Sequence, residues 1–430
     1  HPGHVRLVQT ESGLGDDDRH ERLERHTMRI GILTQYYPPE LGAPPARLAN
    51  LATRFIERGH EVHVITAMPN YPQGRIYPGY GGLIRRERLD GASVVRSYVY
   101  PATGKGLRRI WNYFSFVFSS ALAGTLYVPR LDYLITESPP LFLGISGYML
   151  SRLKRARWIF NVSDLWLESA VQIGALREGV VLRIARSLEK FFYRKAWCIS
   201  GQSWEIINEI SRANPQVTVY HLSNGVASET FRPGLGSDEI RAELAPGMRT
   251  IALYAGLHGY AQGLNQVLEA AVALQDLDDL AIVLLGDGPE KPDLVKRARE
   301  LGLSNVRFVA PAARERMPAI LASADIALVP LKERLVGAVP SKLYEAMGAG
   351  LPIVLMTGGE ADDIVTAAGA GLVVPPGDVA GLASAIRHLA TSPNERQAMA
   401  TRGREAVSTR YDRTAIGNAF VDYLEAAQSC

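Results

Sequence analysis

SNGVASETFRPGLGSDEIRAELAPG, residues Ser223–Gly247, decides how the chain divides. It holds Asn224-Gly225, Pro233-Gly234 and Pro246-Gly247, dipeptides that favour turns, and no sustained apolar periodicity. Such punctuation reads as a linker. Before it, short β-branched or apolar runs begin at Arg29–Thr34, Val62–Thr66, Val94–Tyr98, Tyr133–Thr136, Ile159–Val162, Trp197–Ser200 and Val217–Leu222. Helical patterns such as Ala46–Glu57 and Leu182–Tyr193 lie between them. After it the alternation restarts at Thr250–Tyr254 and continues through Ile282–Leu285, Val306–Val309, Ile326–Val329, Ile353–Leu355 and Leu372–Val374. Runs of that kind separated by helices indicate βαβ units and parallel sheets. The expected architecture is α/β: two Rossmann-like domains in tandem, facing a central cleft into which the loops after the strands open. The expected boundaries are a disordered leader or tag over 1–27, an N-terminal domain over 28–222, a linker over 223–247, a C-terminal domain over 248–410 and a final helical segment over 411–430 that crosses back to the first domain.

The 430 residues are 47% hydrophobic and 21% charged, which excludes disordered, collagen-like and coiled-coil chains. Two cysteines, Cys198 and Cys430, offer no disulfide framework, so a reducing cytoplasm is the expected compartment. The formal net charge of +3 conceals an asymmetry: residues 28–225 carry +11, residues 226–430 carry −6 and the first 27 carry −2. A basic half joined to an acidic half points to phosphorylated ligands, nucleic acid or an anionic membrane as partners.

The strongest local signal is PSKLYEAMGAGLP, Pro340–Pro352. Pro340 and Ser341 open a helix whose first amides face an anion. Lys342 adds a mobile point charge suited to a diphosphate, and Glu345, one turn on, suits a pair of ribose hydroxyls. An N-capped surface helix with a solvated Lys/Glu pair is the bland alternative. The segment resembles the donor-site motif of retaining glycosyltransferase family 4, a two-domain family with the GT-B fold that uses nucleotide-sugar donors. The other landmarks are Ile32–Gly42 (ILTQYYPPELG), Asp164–Ser169 (DLWLES), Tyr254-Ala255-Gly256 with Gln262-Gly263-Leu264, and Leu285–Glu290 (LGDGPE). The resemblance spans nearly all of residues 28–430 and is strongest to bacterial enzymes of surface-polysaccharide synthesis, of the colanic-acid and fucosamine-transferase type.

What the resemblance implies is a metal-independent transfer with no cofactor, the nucleotide-sugar being substrate. Donor contacts fall on Gly42, Gly256, Gly286, Gly288, Ser341, Lys342 and Glu345, with Lys342 and Asp164 as the catalytic candidates. Acceptor contacts fall on Tyr37, Arg47 and Glu168. Arg47 reads equally as a residue of a solvated helix face, and Asp164 as an N-cap above a core Trp166. The expected partners are a UDP-sugar, a lipid-linked or glycan acceptor and an anionic membrane surface, without nucleic acid, and the expected location is the cytoplasmic side of the inner membrane, peripherally bound. Three family positions differ: a glutamate before Glu345 is Gly337, an Arg after Gly256 is Leu257, and a Lys is Gln262. Those departures keep a donor-binding-deficient assembly protein as a rival reading, and a nucleotide-sugar epimerase on a similar fold is another.

The run Ile110–Pro129 contains no charged residue and follows Lys105, Arg108 and Arg109. It reads as a membrane span, a buried helix or a helix lying at a membrane surface. The clusters Arg85-Arg86-Glu87-Arg88 and Arg152–Arg157 are in the same half. The nine histidines show no paired helical spacing, Asp362-Asp363 reads as capping, and no G-x-G-x-x-G follows the first strand.

Overall fold

A computed structural model describes residues 27–40, 42–71, 73–102, 107–165, 167 and 179–428. They form two compact units, one of residues up to 223 together with 417–428, the other of residues 224–416. The expected leader falls, but for Thr27, outside the described residues.

The first unit is built on strands β1 (Arg29–Leu33), β2 (Glu61–Ala67), β3 (Ile84–Leu89), β4 (Ala92–Ser97), β5 (Tyr133–Ser138), β6 (Arg157–Val162), β7 (Cys198–Gly201) and β8 (Val219–His221). Their order is β3-β4-β2-β1-β5-β6-β7-β8. All neighbours pair in parallel except β3 with β4. Every residue of β5 is buried, as a strand covered by helices on both faces requires. Setting β3 aside, the spatial order of the remaining seven strands is 3-2-1-4-5-6-7 in chain sequence, so the direction of winding reverses between β1 and β5. Ligand crevices form at that point, beyond the carboxyl ends of the strands.

Strand β3 was not expected. Its charged residues Arg85, Arg86, Glu87 and Arg88, a basic cluster in the sequence, lie on an edge strand antiparallel to β4. Charge on an edge discourages pairing with another chain, so pattern and position agree. Helix α1 (Ala43–Glu57) starts three residues before the expected Ala46, because Pro44 and Pro45 sit in its first turn, where a missing N–H is tolerated. Helix α2 (Leu107–Tyr127) buries Asn112, Phe116, Ser120 and Ala123 and exposes its other face. No described helix is long and apolar enough to cross a membrane. Helices α3 (Leu143–Lys154), α4 (Val180–Lys195) and α5 (Trp204–Ala213) complete the cover.

The second unit opens inside the expected linker. Ser237 caps helix α6 (Asp238–Leu244), its hydroxyl accepting the Ile240 N–H at 3.3 Å. Val226, Phe231, Leu244 and Ala245 belong to the unit's core. Residues 224–247 are therefore part of this unit; their apolar side chains are spaced by turns, so no periodicity betrays them. The sheet follows: β9 (Thr250–Ala255), β10 (Leu280–Leu285), β11 (Val306–Val309), β12 (Ile326–Pro330), β13 (Ile353–Met356) and β14 (Gly371–Val373). All pairs are parallel, in the order β11-β10-β9-β12-β13-β14, here 3-2-1-4-5-6. Its switch point lies between β9 and β12. The interleaved helices are α7 (Leu264–Val272), α8 (Lys291–Glu300), α9 (Met317–Ala322), α10 (Ser341–Ala349) and α11 (Glu360–Ala368), followed by α12 (Val379–Thr391) and α13 (Pro393–Ala406).

The last helix, α14 (Arg413–Gln428), starts in the second unit and runs into the first. Its residues 417–428 pack on α1: Phe420 lies 6.4 Å from Phe55 between ring centroids, and Arg58 pairs with Glu425 at 2.6 Å. The Tyr133 hydroxyl of β5 donates to the Leu424 carbonyl at 3.2 Å.

Candidate active site

The second unit gathers its chemistry at its switch point. Helix α10 follows β12, and its N-terminal residue is preceded by an extended Pro340 with no side-chain cap, so the first-turn amides of Ser341 and Lys342 are left for a ligand. Lys342 is partly exposed, and its Nζ donates to the Tyr254 hydroxyl at 2.9 Å from a position 4.4 Å over the ring centroid. Tyr254, buried on β9, donates that hydroxyl to the Leu257 carbonyl at 2.6 Å. The phenol thus accepts from the lysine and fixes where its charge points. Surrounding protein pushes the Lys342 ammonium down to about 8, against the opposing pull of Glu345. Burial likewise raises the Glu345 carboxyl, opposed by the cations Arg314, Arg413 and Lys342.

Glycine is needed at two of the loops here. A Cβ on Gly256, at φ +150°, would overlap Cε and Nζ of Lys342. A Cβ on Gly286, at φ +142°, would overlap the Gly256 carbonyl. The loop after β10 therefore lies backbone to backbone on the loop after β9, the His258 N–H donating to the Asp287 carbonyl at 2.8 Å. Gly288 abuts the His258 backbone. The structure brings Gly256, Gly286, Gly288, Ser341, Lys342 and Glu345 together, and adds Tyr254, which the sequence marks only as part of a motif, and His258, which it does not mark at all. His258 is fully buried; desolvation first, then the ammonium groups of Lys291 and Lys342, lower its pKa, with Asp287 opposing.

In the first unit the corresponding point lies between β1 and β5. The loop after β1 is held from within by Glu40, whose Oε1 accepts the amides of Asn70 and Tyr71 at 2.9 Å each and whose Oε2 accepts the Tyr37 amide at 3.3 Å. Arg96 of β4, wholly buried, pairs with Glu87 at 2.5 Å and donates to the Pro38 carbonyl. Glu40 and Arg96 therefore set the loop's shape. Tyr37 is 2% exposed and its phenol is pushed up to about 12 by burial, so this expected acceptor contact lies inside the loop. Gly42 precedes α1 at φ +148°, and the two prolines that follow leave few amides there for an anion.

Arg47 does not lie on a solvated face. It is buried, its Nη2 donating to Glu137 Oε1 at 2.6 Å and to Ser163 Oγ at 2.7 Å. Glu137, at the end of β5, also accepts from Asn161 Nδ2 at 2.7 Å and from Ser163 Oγ at 2.5 Å; Ser200 donates to Asn161 Oδ1 at 2.7 Å. This network joins α1, β5, β6 and β7 directly beneath the half-buried Asp164, the residue after Ser163. Arg47 and Glu137 position the turn that carries Asp164. Trp166 and Glu168 lie outside the described residues.

Two family models match the chain: a glycosyl transferase 4-like domain over residues 42–222 and glycosyl transferases group 1 over residues 237–406. A putative colanic acid biosynthesis glycosyl transferase of Escherichia coli, WcaI, is 30% identical over 336 residues, covering 75% of this chain and 82% of that protein. Among solved structures, sucrose-phosphate synthase of Thermosynechococcus elongatus superposes with a TM-score of 0.76 at 18% identity, covering 94% of this chain and 99% of the other. Anabaena HepE in complex with UDP superposes at 0.69 with 16% identity, covering 93% and 100%. By both units, by the models that match them and by its likeness to WcaI, the chain belongs to glycosyltransferase family 4 and has the GT-B fold of that family.

Proposed function

We propose that this glycosyltransferase moves a sugar, with retention at the anomeric carbon, from a UDP-sugar to a lipid-linked saccharide in the synthesis of a bacterial surface polysaccharide, at the cytoplasmic face of the membrane and without a metal. The observation that carries the donor half is the Lys342–Tyr254 pair at the free amides of α10. In the transfer, the bond from the anomeric carbon to the diphosphate breaks as the acceptor oxygen bonds the same face. The acceptor proton passes to the departing phosphate oxygen. Charge grows on that diphosphate, so a fixed ammonium and unspent N–H groups lower the barrier where it develops. Glu345 receives the ribose hydroxyls, and Asp164 contacts the sugar or acceptor from the turn that Arg47 and Glu137 hold. The UDP-bound structural neighbour and the colanic-acid relative support this choice of donor and pathway.

The test is a screen of UDP-sugars against polyprenyl-diphosphate-linked saccharides, with EDTA in parallel, and calorimetry with UDP. Transfer with retained anomeric configuration, insensitive to EDTA, is the expected result. UDP and a free sugar epimer formed with no acceptor would make the chain an epimerase, and absence of UDP binding would make it a donor-deficient assembly protein.

A further inference from the structure

Among the exposed large apolar side chains of the first unit, one set forms a stripe along α2. On α2, Trp111, Phe118, Leu122 and Leu126 are 65%, 71%, 58% and 61% exposed. At 100° per residue they fall within an arc of about 80°, turned about 120° from the buried Asn112, Phe116 and Ser120, and extend about 22 Å along the helix. Helix α3 packs beside α2, Ser146 hydrogen-bonding Ser120 at 3.0 Å, and exposes Ile145, Met149 and Leu153 on its own outer face. In the second unit the exposed apolar residues, such as Met248, Tyr260 and Val336, are scattered. A continuous apolar face of this size marks an interaction surface.

At the N-terminal end of the stripe lies a cavity of about 470 Å³ lined by Tyr98, Tyr100, Arg108, Trp111 and Ser115. Tyr98 and Tyr100 directly follow β4, so the cavity is at the carboxyl end of the sheet. Its wall is tied to the loop after β1: Asn112 accepts from Gln35 Nε2 at 2.7 Å and donates to the Tyr100 carbonyl at 2.7 Å, while Ser115 Oγ accepts the Tyr100 amide at 2.8 Å. Charge is one-sided. Neither α2 nor α3 contains an Asp or Glu. Arg108 is exposed at the cavity, and at the far end Arg130, Arg152 and Arg155 are exposed, with Arg86 lying 5.3 Å over the Tyr127 ring.

We infer that this cavity and stripe form the acceptor's lipid site: Arg108 takes the diphosphate of a prenyl-linked saccharide, the Tyr98, Tyr100 and Trp111 rings frame the junction with the prenyl chain, and the α2 stripe receives the chain at an anionic leaflet. The assignment rests on the lipid-linked acceptor of the proposed function and says where that acceptor is held. A cation beside aromatic rings, continuous with an apolar track, matches a ligand that is anionic at one end and hydrocarbon at the other. The position delivers the attached saccharide to the loop after β1.

The affinity for farnesyl diphosphate, a sugar-free probe, is measured by calorimetry, with inorganic diphosphate and farnesol as controls. UDP affinity is measured on every variant by calorimetry. Farnesyl diphosphate is expected to bind much more tightly than either control. Arg108→Ala and Trp111→Ala each weaken it about tenfold while UDP affinity stays unchanged. Leu122→Ser lowers sedimentation with phosphatidylglycerol vesicles and spares UDP binding. Equal binding of inorganic diphosphate would reduce the cavity to a simple anion site and overturn the assignment. So would UDP binding without any farnesyl diphosphate binding, which leaves the donor reading intact. A dimer that Leu122→Ser dissociates, with no affinity for vesicles, would make the stripe a contact between copies of the chain and overturn it too. Loss of UDP binding in the unaltered protein would fall on the proposed function instead.

Discussion

If Lys342 neutralises the donor diphosphate, UDP affinity falls as pH rises through the lysine's own titration. Its pKa lies at about 8 in the free protein because the surrounding protein strips water from the ammonium. About nine-tenths of the molecules then carry the charge at pH 7 and about one-tenth at pH 9. A phosphate charge about 4 Å away stabilises the ammonium by about 4 kcal/mol at an effective dielectric of 20, which lifts its pKa in the complex beyond this window. The dissociation constant of UDP therefore rises about tenfold from pH 7 to pH 9, and a Lys342→Met variant binds more weakly with no comparable slope. Tyr254 stays protonated throughout, its pKa raised by burial, and His258, its pKa lowered, stays neutral. Isothermal calorimetry at constant ionic strength reads the slope directly. A flat profile, or a slope that survives in Lys342→Met, refutes the role given to this side chain. The linkage has a second arm. With a folded pKa below the unfolded one, the charged lysine disfavours the fold by up to about 3 kcal/mol below pH 8, and that penalty fades as pH rises from 8 toward 10.5. Lys342→Met should consequently melt higher than the unaltered protein at pH 7.

Glu345→Ala is expected to lower UDP affinity about tenfold and to erase discrimination between UDP and its 2′-deoxy form, because the lost hydrogen bonds are charge-assisted; calorimetry with both ligands tests this, and undiminished preference for the ribose contradicts it. Gly256→Ala should weaken UDP binding at least tenfold, since the new methyl displaces Lys342 and demands a backbone conformation poor for alanine; unchanged affinity would mean that the lysine is not needed where it stands. Arg47→Met leaves the Glu137 carboxylate buried without its cation and should cost about 3–5 kcal/mol, whereas Arg47→Met with Glu137→Gln costs much less. Thermal denaturation separates the two, and loss of transfer with no loss of melting temperature would return Arg47 to a direct acceptor role.

The parts of the molecule that could be read from sequence are those whose signal is local. Parallel strands such as Leu280–Leu285 are buried at every position, and that uniform burial is visible as an apolar run. The Pro340–Gly350 segment carries helix start, cation, acid and left-handed C-cap within a few residues, so its chemistry could be inferred before its surroundings were known. What sequence left hidden depends on partners far along the chain. Edge strand β3 lacked an apolar run because one side of it meets solvent. Residues 224–247 lacked periodicity because each apolar side chain reaches the core from a different turn. Arg47 is the instructive case: on its own helix it is indistinguishable from a solvated cation, and its carboxylate partner is ninety residues away. The pointer lay at the other end of that pair. Glu137 is the penultimate residue of a strand whose other residues are apolar or hydroxyl-bearing, and an ionised acid in such a strand must find a cation or bear a large desolvation cost. Among the basic residues that βα connections bring to the same switch point, an arginine one turn into the helix after β1 is well placed to supply it. An acid stranded at the carboxyl end of a buried parallel strand is thus a sequence signal for a buried pair at the crevice, and here that pair fixes the turn bearing Asp164.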